Sequence, residues 1–221
     1  MIILAIDTAG LRPGLAFSKD NAVLYEYSWR SLRNHTVELI PNIERGFAEI
    51  GLSRDEIDVL AVCTGPGSFS ATRVGVTTAK TLGLVWDCPV YGGNCFEVSA
   101  YVLQSLVGDI LIQVNMGRGN WAVQTFRCNS REAAPLTMPQ VTTEGSEVAT
   151  DGSYVAVVLD DPPPDTRRFS ARVFTRRPAW VAEWAASQIA AGLPGPIDRV
   201  EPYYIQPVRI TASTRNTFGS R

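Results

Sequence analysis

Asp7, the segment Gly65-Pro66-Gly67-Ser68 and the single histidine, His35, are the residues whose types and settings could do chemistry. Glycines between an apolar strand and a helix leave backbone N–H groups exposed at the helix N-terminus, and such a setting attracts anions. Gly65, Gly67 and Ser68 are therefore candidate contacts for a nucleotide or another anion. The spacing is not that of a Walker loop, because G-x-x-x-x-G-K-[ST] is absent. The competing reading is a tight turn with Ser68 as the N-cap of the next helix. Asp7 ends an apolar run, where it could hold a metal–nucleotide complex or simply start an Asx-turn. The matching position in a second hairpin is Asn115, which cannot act as an acid. Asp7-Thr8-Ala9 lacks a close glycine, and Asn115-Met116-Gly117 lacks the carboxylate. Both turns are thus compromised as phosphate grips, which argues against a competent ATPase and leaves weak nucleotide binding open. His35 has no second histidine to join it, and Glu38 is its only nearby carboxylate at helical spacing. Capping of a helix start, or an interface hydrogen bond, suits it better than a metal.

The elements that must position these residues follow from apolar periodicity. Residues 2–7 form a buried strand, followed by strands over 15–18 and 22–29. Val37, Ile40, Ile43, Phe47 and Ile50 recur at helical spacing as one apolar stripe that Gly51 ends, with Pro41 bending the helix or lying near its first turn. A strand over 57–63, a helix over 69–84, a strand over 89–91 and a helix over 96–106 come next. Ala71, Gly75, Ala79 and Gly83 line one face of the second helix, and such a stripe lets another helix approach closely. Packing within the same domain and a subunit interface are equal readings of it. The pattern restarts at Gly108, with strands over 109–115 and 121–127. "IILAIDTAG" and "DILIQVNMG" share a weak likeness, an internal duplication where a second domain would begin. Residues 130–175 are rich in Pro, Thr and Asp, with one strand over 154–159 and irregular chain at Pro162-Pro163-Pro164. A helix covers 178–191, and the polar tail beyond residue 211 is expected to fray.

Composition narrows the function classes. The chain has 221 residues, 45% hydrophobic and 19% charged, with a net charge of −2. No basic excess supports nucleic-acid binding by this chain alone. Cys63, Cys88, Cys95 and Cys128 contain no C-x-x-C pair and read as buried thiols in a reducing cytoplasm. No signal peptide is visible, and no apolar run approaches the roughly 20 residues that span a membrane. The expected location is the cytoplasm.

Three segments resemble the TsaB (YeaZ) family: "LAIDTA" at residues 4–9, "HTVELIP" at 35–41 and "GPGSFSATRVGVTTAKTLG" at 65–83. The last resembles the family signature G-P-G-S-F-T-G-x-R-I-G, with Ser70-Ala71 in place of Thr-Gly. "PYYIQP" at 202–207 faintly resembles P-x-Y-L-R. The second hairpin departs further: Asn115-Met116-Gly117-Arg118-Gly119-Asn120 stands where the family has D-A-R-x-G-E. The resemblance implies an α/β, two-lobed actin/Hsp70/sugar-kinase-like (ASKHA) fold, with duplicated mixed β-sheet lobes and flanking helices. The lobes would be residues 1–106, which pair with a partner, and a smaller, degenerate lobe at 107–221. It also implies a non-catalytic subunit that pairs with a TsaD-like catalytic subunit, joined by a TsaE-like ATPase, for threonylcarbamoylation of the adenosine beside the tRNA anticodon. A homodimer is a further implied state, and tRNA is met only through the complex. The implied pairing surface takes in His35, Glu38, Leu39, Phe69, Ala71, Arg73, Gly75, Thr78 and Ala79. No cofactor is required of this chain, with weak ATP or ADP binding at a subunit junction left open.

Two rivals share these residues. A small-molecule kinase or ATPase of the same fold needs an acid beyond Asp7 near the phosphates. A metallopeptidase needs at least two metal-binding histidines, and His35 stands alone. On the pairing reading, a bulky residue at Gly75 or Ala79 weakens partner binding without unfolding the chain, and Asp7→Asn leaves the activity of the complex nearly unchanged.

Overall fold

Six consecutive buried residues, Ile2–Asp7, form β1, and burial on both faces makes it a central strand. The computed structural model describes residues 1–31, 34–117, 119–143, 154–159 and 171–205. β2 (Gly14–Lys19) pairs antiparallel with β1, and β3 (Ala22–Ser28) antiparallel with β2. The β2–β3 turn places Asp20 and Asn21 at φ 50° and 67°, the paired left-handed conformation that suits a tight hairpin. β4 (Val59–Cys63) lies parallel to β1, and β5 (Val90–Gly93) parallel to β4, giving the order β3-β2-β1-β4-β5. Three helices accompany this sheet: α1 (His35–Ile50), α2 (Phe69–Trp86) and α3 (Cys95–Leu103).

A second sheet repeats the plan. β6 (Val107–Gly117) and β7 (Asn120–Asn129) form the long hairpin, and β10 (Ala156–Leu159) lies parallel to β6 as β4 does to β1. β11 (Arg172–Thr175) extends it in parallel, while β8 (Ala133–Pro135) and β9 (Gln140–Thr142) pair with β7. The order β11-β10-β6-β7-β8 therefore mirrors that of the first sheet. The duplication that the sequence shows only weakly is explicit in the topology. β8, β9 and β11 are strands of three or four residues, too short to show alternation in the sequence. Pro162-Pro163-Pro164, Arg118, the residues from Gln206 onward and the polar tail lie outside the described residues.

Strand alternation sorts the core into layers. Ile2, Leu4 and Ile6 join Leu15, Phe17, Leu60 and Val62 against α1 and α2. The opposite face carries smaller side chains: Ala5, Ala16, Ala61 and Cys63. Across from it lies α4 (Pro178–Ala190), which brings Ala179, Ala182 and Ala185. Small residues on both sides let α4 come close to β1 and β2, although it follows the last strand of the second sheet. α3 packs on α4 and on β6 and β7, so α3 and α4 form the layer between the sheets.

Two local expectations change. Val37 and Ile40 are exposed, and the buried face of α1 is Leu39, Ile43 and Gly46 instead of a stripe through all five apolar positions. Phe17 sits where a Cβ on Gly46 would fall, so the ring takes the space under the helix. Pro41 lies inside α1, beyond the first turn. Gly51 ends the helix at φ 67°, as the sequence indicates.

Candidate functional site

The turn after β1 and the loop after β4 are built against each other. Asp7 Oδ1 accepts from Ala9 N at 3.0 Å, the Asx-turn expected of an Asp at a strand end. Ala9 O then accepts from Ser68 N at 3.1 Å, and Thr8 Oγ1 donates to Ala71 O at 2.6 Å. A Cβ on Gly67 would run into the Ala9 carbonyl, so this approach requires glycine. The loop continues through a cis Gly65-Pro66 bond, and Gly65 O accepts from Cys95 N at 2.6 Å. Asp7, Gly67 and Ser68 thus meet at one place, as an anion site would require. The Ser68 N–H is already taken by the Ala9 carbonyl, however, and Ser68 occupies the N-cap position without a side-chain capping bond.

Asp7 is the chemical centre of this cluster. Its two carboxylate oxygens lie 3.2 and 3.0 Å from Nη2 of Arg176, and both side chains are about 6% exposed. Arg176 Nη1 lies 2.8 Å from Sγ of Cys95, which in turn is 3.2 Å from Sγ of Cys63. Burial pushes the Cys95 thiol well above the usual thiol range, and its hydrogen bond with Cys63 adds to this, against the opposing pull of Arg176. The neighbouring Arg177 pairs with Glu26, whose Oε1 also accepts from Ala179 N at 3.0 Å. Two adjacent arginines thereby fasten the start of α4 to the first sheet. A divalent cation at Asp7 would have to displace a guanidinium already paired with the carboxylate. Nothing in the sequence points to Arg176, which lies 169 positions from Asp7. In the second hairpin, Asn115 Oδ1 accepts from Gly117 N at 2.7 Å, repeating the Asx geometry of Asp7 without its charge.

The remaining sequence-derived residues divide between core and surface. Ala71, Gly75 and Ala79 are buried, and a Cβ on Gly75 would strike the Thr8 hydroxyl. The small-residue stripe therefore serves contact between α2 and its own sheet and is turned away from any partner. Leu39 is likewise a core residue, and Thr78 is half-buried. Glu38 accepts from Trp29 Nε1 at 2.9 Å, and hydrogen bonds from Ser31 and Trp29 hold its carboxyl below the usual range. His35 is half-buried, its Nδ1 has no hydrogen-bond partner among the described residues, and burial lowers its pKa. Phe69 is exposed, packs on Tyr204 at a ring distance of 5.1 Å and lies under the Arg73 guanidinium. The outer surface of α1 and α2 also presents Val37, Ile40, Leu84 and Val85, the first and last each 68% exposed. Among the described residues no group of three His, Cys, Asp or Glu side chains could hold a metal. No helix among them is long and apolar enough to cross a membrane.

Comparison with known proteins places this arrangement. Residues 30–119, which carry α1, α2 and the loop between β4 and α2, match the family described as "TsaD: tRNA N6-adenosine threonylcarbamoyltransferase". The tRNA threonylcarbamoyladenosine biosynthesis protein TsaB of Bacillus subtilis is 33% identical over 100 residues, 45% of this chain and 44% of that protein. The tRNA N6-adenosine threonylcarbamoyltransferase of Anaeromyxobacter dehalogenans is 42% identical over 65 residues, 29% of this chain and 20% of that protein. The chain thus spans less than half the length of these relatives. YeaZ from Pseudomonas aeruginosa superimposes with a TM-score of 0.69 at 14% identity, covering 92% of this chain and 99% of that one. The two mixed sheets with flanking helices are the fold shared with YeaZ. The chain is similar to TsaB over part of its length and carries the fold of YeaZ.

Proposed function

We propose that this chain is a non-catalytic partner subunit in the synthesis of tRNA threonylcarbamoyladenosine, acting in the cytoplasm by pairing with a TsaD-like catalytic subunit. The observation that carries the reading is the set of exposed apolar residues Val37 and Ile40 on α1 and Leu84 and Val85 on α2, inside residues 30–119, the segment that matches the TsaD family. Related lobes that present similar helices can pack them face to face. Burying apolar area yields about 25 cal/mol per Å², less the cost of association. The engagement of Asp7 by Arg176 supports a role without phosphoryl chemistry, because the carboxylate is not free to take a metal–nucleotide complex. The kinase or ATPase reading lacks that free acid. A homodimer through the same helices and a TsaE-like ATPase as a third component belong to this proposal, as does weak nucleotide binding at the subunit junction.

The test is co-purification with the TsaD-like protein of the same cell, followed by a tRNA modification assay with and without this chain. A stable complex, with modification lost when the chain is omitted, is the expected result. No complex, together with ATP turnover by the isolated chain, would overturn the proposal.

A further inference from the structure

Cys63 closes β4 and Cys95 opens α3, and their Sγ atoms lie 3.2 Å apart in the interior. A sulphur–sulphur bond is about 2.05 Å long, so each atom needs to move only about 0.6 Å to form one. The surroundings add a second condition. Arg176 Nη1 stands 2.8 Å from Cys95 Sγ, a fixed cation where a thiolate would develop. Asp7 holds that guanidinium from the other side through both its carboxylate oxygens.

We propose that Cys63 and Cys95 are an oxidisable dithiol that closes to an intramolecular disulfide with hydrogen peroxide as the oxidant. Cys95 Sγ attacks one peroxide oxygen and the O–O bond breaks. The departing hydroxide takes the Cys95 proton and leaves as water, and Cys95 becomes a sulfenic acid. Cys63 Sγ then attacks that sulphur and the S–O bond breaks. The second oxygen departs as water with the Cys63 proton. Two electrons pass from the two sulphurs to the peroxide, and the products are one disulfide and two waters. The Cys95 thiol lies 3.2 Å from the Pro66 carbonyl to which it donates, and the disulfide removes that bond. Oxidation is thereby felt in the loop that leads into α2.

The test is peptide mapping of the native chain after hydrogen peroxide treatment, quenching, unfolding and alkylation. The expected product is a Cys63–Cys95 cross-linked peptide lacking the mass of two hydrogen atoms, with Cys88 and Cys128 still alkylated. Cys63→Ser and Cys95→Ser should lack it, but the unsubstituted chain decides the matter even if a variant does not fold. Met138, 78% exposed, reports the oxidant dose through its sulfoxide. Cys63 and Cys95 both remaining alkylatable once Met138 is fully converted would overturn the proposal. So would a cross-link that forms only when the chain is oxidised in denaturant.

Discussion

Arg176 reaches from the segment between β11 and α4 to the end of β1, where its Nη2 lies 3.0 Å from one carboxylate oxygen of Asp7 and 3.2 Å from the other. The contact joins residues 169 positions apart, and both are buried. Removing one member of a buried ion pair leaves the other charge desolvated, which costs about 3–5 kcal/mol. Arg176→Met and Asp7→Asn should each lower the urea unfolding free energy by that order. The double variant should lose less than the sum of the two. Modification activity per folded molecule should stay near the unsubstituted level with Asp7→Asn, since no chemistry is assigned to this carboxylate. Additive losses in the cycle would show that the two side chains do not depend on each other.

Gly75 provides a second test, and here the structure reverses the expectation drawn from the sequence. A side chain at this position meets Thr8 within the same chain, so Gly75→Val overpacks the α2–β1 contact. A loss of about 1–3 kcal/mol is expected, read as a lower midpoint in thermal or urea unfolding. A variant that folds with unchanged stability but fails to bind a partner would return the stripe to the surface.

The pairing surface is better probed at Val37 and Ile40. Both are exposed on α1, and Val37 lies in its first turn, where an acidic residue suits the helix dipole. Val37→Asp and Ile40→Asp should leave the unfolding midpoint unchanged. Each should weaken binding to the TsaD-like protein at least about tenfold, or roughly 1.4 kcal/mol. Calorimetric titration checks this, and unchanged affinity would move the interface away from α1.

His35 predicts a pH dependence. Burial lowers its pKa, so the folded chain favours the neutral imidazole while the unfolded chain protonates near the ordinary value of about 6.5. Its contribution to stability is complete above that value and is lost as the pH falls through it toward the lower folded pKa. His35→Gln should flatten the stability curve on the acid side of pH ~6.5. An unchanged slope would mean that another group titrates there.

The net charge of −2 bears on tRNA. The isolated chain should bind tRNA weakly at physiological ionic strength, measured by filter binding across a salt series. Tight, salt-sensitive binding would reveal a phosphate-contacting surface that the charge balance hides.

Much of the first sheet was legible because its elements declare themselves locally. The apolar run at Ile2–Asp7 and the stripe on α1 stopped by Gly51 appear in the chain order with no knowledge of neighbours. α1 also shows the limit of periodicity. Five apolar residues at helical spacing cannot say which will be covered, and Val37 and Ile40 stayed outside because Leu39, Ile43 and Gly46 face the sheet. β8, β9 and β11 gave no signal, since such short strands owe their pairing to a neighbour, β7 for β8 and β9 and β10 for β11.

The sequence by itself determined the kinds of elements, the duplicated hairpin opening and the signature segment from Gly65 to Gly83, because turn chemistry and apolar spacing act over a few residues. Only the tertiary structure decided which way the small-residue face of α2 turns, and it turns inward onto Thr8. It also decided that α4 returns to the first sheet, and that Arg176 meets both Asp7 and Cys95. Those contacts depend on how two sheets stack across the layer of α3 and α4, and spacing along the chain carries no information about distance across it.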